Sequence, residues 1–406
     1  MRRWFVRLHR ILGLVLAAFL FISGLTGAVI SWDHEIDEWL NPELFEAKSG
    51  RGQARSVYDL ADEIERRDPR VIVSYVPLEL EPGHTALFSV APRLDPSTGK
   101  AFELDFNQVA LDPVTAEEQG RRKWGEPSLT RQNFMPFLYK LHYSMHIPDA
   151  SGVEIGVVFM GVLAIAWVLD SFIALVISFP TLGAWRNSFR FRLREGKTKL
   201  NFDLHRSGGV WTWALLVVLA ITAVSMNLGL QVVRPVVALF SPLTPSPFEI
   251  RPMSPTPIAP ALARARAVEL GVRYARERDI SAPPGGVFYS PEFGGYGVGF
   301  FEPGFEHGDG GLGNPWLYLD GKSGEFVAAD IPGRGSAGDL FMQLQFPLHS
   351  GRIIGVPGRI FVSLLGLLVA VLSVTGVLIW ARRKNFSRRA RLPAVQPGSI
   401  ESRAQA

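Results

Sequence analysis

Four histidines recur in two matched settings. Leu8-His9-Arg10 with Gly13 reappears as Leu204-His205-Arg206 with Gly209, and Leu141-His142 reappears as Leu348-His349. His9 and His205 each open an apolar run that carries a threonine 17 residues further on, Thr26 and Thr222. Histidine ligates transition metals through a neutral ring nitrogen. An ionisable side chain at the mouth of a membrane helix is a functional candidate by default. A lone histidine there more often only hydrogen-bonds at the headgroup level. Four of them, paired by a repeat and three within a helical turn of an arginine, favour cofactor chemistry instead.

The elements that must position them are apolar. Runs at roughly 11–31, 153–179, 209–230 and 357–380 are each long enough for a hydrocarbon core of ~30 Å, which takes ~20 helical residues. Polar segments of about a hundred residues follow the first and third runs. The expected fold is a membrane α-helical protein: a four-helix transmembrane bundle, made of a duplicated two-helix repeat, with two α+β insertions. The expected divisions are helix 1 at 1–32, a first outer unit at 33–140 and helix 2 at 141–181. A basic loop at 182–203, helix 3 at 204–232, a second outer unit at 233–347, helix 4 at 348–381 and a basic tail at 382–406 follow.

Basic residues cluster at the N-terminus, at 186–206 and at 382–391. An even number of spans puts all three on one side, expected to be the cytoplasm. Residues 32–150 and 231–350 then face outward. The N-terminal run also resembles a signal peptide, but it is long, has no clear Ala-x-Ala site, and is expected to be retained. The net charge of +4 sits beside membrane helices and reads as topology, not nucleic-acid binding. Cysteine is absent, which excludes disulfides, iron–sulfur clusters and thiolate ligands.

Within the first outer unit, 57–67 has helical spacing, and 71–80, 85–91 and 101–111 read as strands. In the second, a proline-rich linker (242–260) precedes a helix at 261–276, strands at 287–289, 296–301 and 316–319, and a glycine-rich loop at 303–314. The units repeat as well: Val109-Ala110-Leu111-Asp112 matches Leu317-Tyr318-Leu319-Asp320.

A parallel repeat places equivalent residues at equal depth about an axis along the membrane normal. His9 and His205 then pair at the cytoplasmic mouths of helices 1 and 3, and His142 and His349 at the outer mouths of helices 2 and 4. Each pair suits one low-spin haem b, held through one ring nitrogen from either side. Gly13, Gly24, Gly209 and Gly351 would let the flat macrocycle approach backbone. Arg10, Arg206 and Arg352 either meet propionates, for which a guanidinium is a bidentate donor, or anchor helix ends by snorkelling.

His146 competes with His142, one turn away if the helix continues through Pro148. Its counterpart, Ile353, favours His142. A zinc site at His142 and His146 lacks the glutamate of His-Glu-x-x-His. His34, His84 and His307 read as surface residues. Asp170, beside Trp167 and Ser171, reads either as a quinol or proton site or as a partner for a neighbouring helix.

The chain resembles the PepSY-associated transmembrane helix family, which includes iron-uptake reductases of the bacterial inner membrane. The likeness rests on Leu8-His9-Arg10 with Gly13, Leu141-His142, Asp203-Leu204-His205-Arg206 with Gly209, Leu348-His349-Ser350-Gly351-Arg352, and Thr375 to Trp380 followed by Arg382-Arg383. Ala223 and Val224 depart from the Gly27-Ala28 of helix 1. The resemblance implies a di-haem protein passing electrons outward to ferric iron, typically in a siderophore, with PepSY-like outer units and both termini cytoplasmic. The donor stays open between a quinol and a cytoplasmic flavin or reductase partner, because no Gly-rich dinucleotide fingerprint is present. No residue is assigned a catalytic role. Alternatives are a non-redox siderophore or iron permease subunit and a PepSY-type regulatory membrane protein.

Overall fold

The computed structural model describes residues 1–50, 52–150 and 152–389. Part of the expected basic tail, 390–406, lies outside the described residues. Among the described residues four helices are long and apolar enough to cross a membrane: α1 (Arg2–Ile30), α4 (Ile155–Ser178), α5 (Lys197–Leu228) and α8 (Val356–Arg389). Between them lie α2 (Val57–Arg67), α3 (Phe134–Ser144), α6 (Arg264–Arg276) and α7 (Ala337–Ser350), with eight strands.

The long helices start earlier than their apolar runs. α1 takes in all four N-terminal arginines, and α5 begins at Lys197, ahead of His205. The cause is that Lys and Arg are good helix formers, so a basic approach segment continues the helix. The expected boundaries at 140/141 and 347/348 are corrected, because each falls inside a short helix, α3 or α7. His142 and His349 therefore stand on separate helices that precede the spans. α3 ends where Met145 turns left-handed, and α7 where Gly351 does (φ +77°). At Gly351 a Cβ would also collide with the Gly358 carbonyl, so a tight turn and not a macrocycle explains that glycine.

Two compact units divide the chain. One comprises 1–24, 166–217 and the chain from 367; the other comprises 25–165 and 218–366. The second contains the sheet, in which the two insertions are fused rather than separate as expected. All eight strands pair antiparallel in the order β4-β3-β2-β1-β5-β6-β7-β8. β1 (Val71–Pro77), β2 (Ala86–Pro92), β3 (Gln108–Leu111) and β4 (Glu118–Arg122) come from the first insertion. β5 (Pro284–Ser290), β6 (Gly295–Phe300), β7 (Trp316–Asp320) and β8 (Phe326–Asp330) come from the second. The seam is β1 on β5, with Val76 opposite Val287.

Each half is one helix followed by a four-stranded meander. Leu60, Ala61 and Ile64 of α2 and Ala267, Val268 and Leu270 of α6 share one core with Phe88, Val298, Phe300 and Leu317. The outermost strands carry little alternating apolar signal. β4 reads Glu-Gln-Gly-Arg-Arg, a charged edge of the kind that discourages pairing with another chain.

Candidate functional site

In the first unit His9 of α1 and His205 of α5 stand with ring centroids 6.1 Å apart and planes at 45°. His9 donates from Nδ1 to both oxygens of Asp170 on α4, at 2.9 and 3.0 Å. His205 donates from Nδ1 to the Leu372 carbonyl of α8 at 2.9 Å, with Thr375 Oγ1 at 3.3 Å. A carboxylate and a carbonyl only accept, so both rings carry their proton on Nδ1 and their lone pair on Nε2. The Thr375 hydroxyl proton is itself committed to the Val371 carbonyl.

The second unit repeats this arrangement. His142 of α3 and His349 of α7 also stand 6.1 Å apart, with planes at 60°. Thr26 Oγ1 lies 3.1 Å from His142 Nδ1, and Thr222 Oγ1 lies 2.9 Å from His349 Nδ1. Thr222 gives its hydroxyl proton back to Val218 and Leu219 within its own helix, which leaves its oxygen to accept from the ring.

Two imidazoles that held one metal between them, each at ~2.0–2.1 Å, would have ring centres ~6.3 Å apart, close to the spacing of both pairs; ordinary ring contacts span the same range, ~4.5–7 Å. Among the described residues no three His, Cys, Asp or Glu side chains group around a metal position.

A cavity of about 440 Å³ adjoins the first pair, within the range of small-molecule and cofactor sites. Gly13 and Gly209 line it, and a Cβ on either would meet nothing within 4 Å. Gly27 and Gly376 do different work. A Cβ on Gly27 would lie 2.9 Å from Cε1 of His142, and one on Gly376 would lie 2.9 Å from Cε1 of His205. These two glycines seat the rings.

The arginines separate into two groups. Arg10 and Arg206 line the cavity, and Arg206 also donates to the Asn187 carbonyl. Arg352 is buried and paired with Asp309 at 2.5 Å and Asp33 at 3.4 Å, so its charge is matched by two carboxylates. His146, the alternative ligand, has its ring engaged elsewhere. It follows the left-handed Met145, has φ +53° itself, donates from Nε2 to the Phe137 carbonyl at 2.9 Å and stacks on the Phe137 ring. That break in the helix also undoes the i, i+4 geometry a zinc pair needs. His34 and His307 are exposed, whereas His84 is half-buried and bonds Glu38.

The family model for the PepSY-associated TM region matches residues 6–383, nearly the whole chain. The chain belongs to that family. Among curated proteins none matches it significantly. In this PepSY-associated TM protein the repeat marked the threonines but not their task. Thr26 and Thr222 were visible as equivalent positions, yet only the fold shows that each serves a histidine on a helix far along the chain. Gly27, Thr375 and Gly376 stood out in the repeat or the family likeness, but nothing in the sequence tied them to a histidine.

Proposed function

We propose that this protein is a di-haem electron-transfer protein of the bacterial inner membrane that reduces ferric iron, in a siderophore or another chelate, on the periplasmic side. The observation that carries the reading is the pair of 6.1 Å histidine couples, each with Nδ1 engaged by an oxygen. His9 with His205, and His142 with His349, would hold one haem b each; without cysteine there is no thioether attachment. Bound haem supplies one-electron carriage at a potential set by its axial ligands and their surroundings.

The chain's own residues do the rest. The Nδ1 acceptors fix the tautomer that presents a lone pair. Gly13 and Gly209 leave the inner cavity open, and Arg10 and Arg206 bring positive charge to it. Three basic ends support cytoplasmic termini and an outward-facing sheet. Reduction weakens the grip of hard oxygen ligands on iron, which is the use such an activity has in iron release. The donor is a quinol or a flavin-bearing partner.

The test is the visible spectrum and haem content of the full chain purified from haem-replete cells. Two haems per chain and a low-spin, six-coordinate spectrum are expected. A colourless preparation overturns the reading.

A further inference from the structure

The four histidines differ in one respect that the repeat does not predict. Three have their Nδ1 engaged by a neutral oxygen: Thr26 Oγ1, Thr222 Oγ1, and the Leu372 carbonyl beside Thr375. The fourth, His9, gives its Nδ1 proton to the carboxylate of Asp170, which sits inside a span and is only 7% exposed. We propose that Asp170 is a positioning residue that makes the His9/His205 site the lower-potential of the two haem sites, an inference that rests on the haem reading above.

The argument is electrostatic. An imidazole whose N–H is held by a carboxylate is a more basic and more anionic ligand than one held by a hydroxyl or a carbonyl. Such a ligand favours the more positive, oxidised metal, and hydrogen bonding around axial ligands is one of the levers that set a haem potential. Four arginines, Arg2, Arg10, Arg206 and Arg383, line the same cavity and act in the opposite sense. Arg2, Arg10 and Arg383 are exposed, and Arg206 shares its charge with Asp203. Their fields are screened by water and salt, whereas Asp170 acts through direct contact in a poorly solvated interior. The carboxylate wins. A lower potential at the site near the basic ends is the order that outward electron flow requires.

The asymmetry also accounts for a charged residue kept within an apolar helix. A buried carboxylate is costly unless it has a partner, and among the described residues Asp170 forms its hydrogen bonds with His9. On α8 the Leu372 carbonyl, with Thr375 beside it, does the same geometric work for His205 without a charge. Positioning alone therefore does not require an acid.

The test is a spectroelectrochemical redox titration of the purified full chain. The wild type should titrate in two one-electron waves. Asp170→Asn should move the lower wave upward by at least a factor of ten in its equilibrium constant, about 59 mV for a one-electron couple, and leave the upper wave in place. Asp170→Thr, which copies the neutral partner of the other sites, should do the same, and Asp170→Glu should restore the lower wave. The inference is overturned if both waves stay put in Asp170→Asn and Asp170→Thr, or if the upper wave moves instead. It is also overturned if every variant, Glu included, loses the inner haem, because the acid would then hold the site together without tuning it. A wild type that carries no haem fails the proposed function itself, a result distinct from haem present but indifferent to Asp170.

Discussion

Gly27 lies against His142 so closely that a methyl group there would come within 2.9 Å of the imidazole, and Gly376 stands to His205 in the same relation. A contact of that length forces the ring to shift. Gly27→Ala should lower haem content by disturbing the outer pair, and Gly376→Ala by disturbing the inner one. Gly13→Ala meets no atom within 4 Å, so it should leave the apoprotein as stable as the wild type while weakening haem retention. Haem content and thermal melting of the three variants separate ring-seating glycines from those that leave room for a ligand.

His142 and His146 make a second contrast. If each pair holds one haem, as proposed, His142→Ala should remove about half of the bound haem, since one of the two residues that would hold it is lost. His146→Ala should keep both haems, because its Nε2 proton is spent on the Phe137 carbonyl and its ring on the Phe137 face. Equal losses in the two variants would show that His146 swings into the site.

Much of this was legible in the sequence, for physical reasons. The spans follow from apolar runs of sufficient length. α2 lies at the residues its spacing and its terminal Pro69 indicate, with Ser56 accepting from Tyr58 as its N-cap. The pairing of His9 with His205 and of His142 with His349 follows from the repeat. What the repeat could not carry was anything set by packing across the chain. β1 joins β5 through residues more than two hundred positions apart, and a strand's pattern does not name its partner. β4 and β8 were missed because short edge strands carry little alternation. Arg352 was indistinguishable from Arg10 and Arg206 until Asp309, in a glycine-rich loop, proved to be its partner.

Arg122 and Asp37 form a buried ion pair at 2.7 Å, with both side chains less than a tenth exposed. Arg122 also donates to Gln108 and to the Gln132 carbonyl, which ties the charged edge of the sheet to the approach to α3. Arg122→Met should cost ~3–5 kcal/mol by stranding the Asp37 carboxylate. Adding Asp37→Leu should recover most of that loss, since no charge is left unpaired. Denaturant unfolding of the two variants measures the difference.

The turns that follow β3 and β7 are built alike around Asp112 and Asp320. Burial pushes the Asp112 carboxyl up, but donors from Ser49, Thr115 and Val114 outweigh it and hold the group at about 2. Burial likewise raises Asp320, and Ser323, Arg251 and Lys322 bring it down to about 2. An unfolded aspartate titrates at ~3.9, so between these values the unfolded chain binds more protons and stability rises with pH. The contribution is complete above about pH 4 and is lost as pH falls toward about 2. Asp112→Asn should flatten the acid limb of the stability profile, and Asp112→Asn with Asp320→Asn should flatten it further. Neither should change the profile's shape between about pH 5 and 8, where both carboxylates are ionised in either state.

The proposed outward electron flow is testable through the two pairs separately. His9 and His205 belong to the unit that carries the basic ends, and His142 and His349 to the unit that carries the sheet. His349→Ala should leave the inner haem reducible by a cytoplasmic-side donor and abolish ferric reduction at the outer face. His205→Ala should retain the outer haem but leave it unreduced by that same donor. Each variant is reconstituted in vesicles of known orientation, with reductant on one side and a ferrous-specific chelator on the other. Loss of chelator signal in both variants, with opposite patterns of haem reduction, is the expected result. If His349→Ala reduces an external ferric chelate at the wild-type rate, the outer pair plays no part in iron reduction. The duplicated histidines would then have to be explained without it.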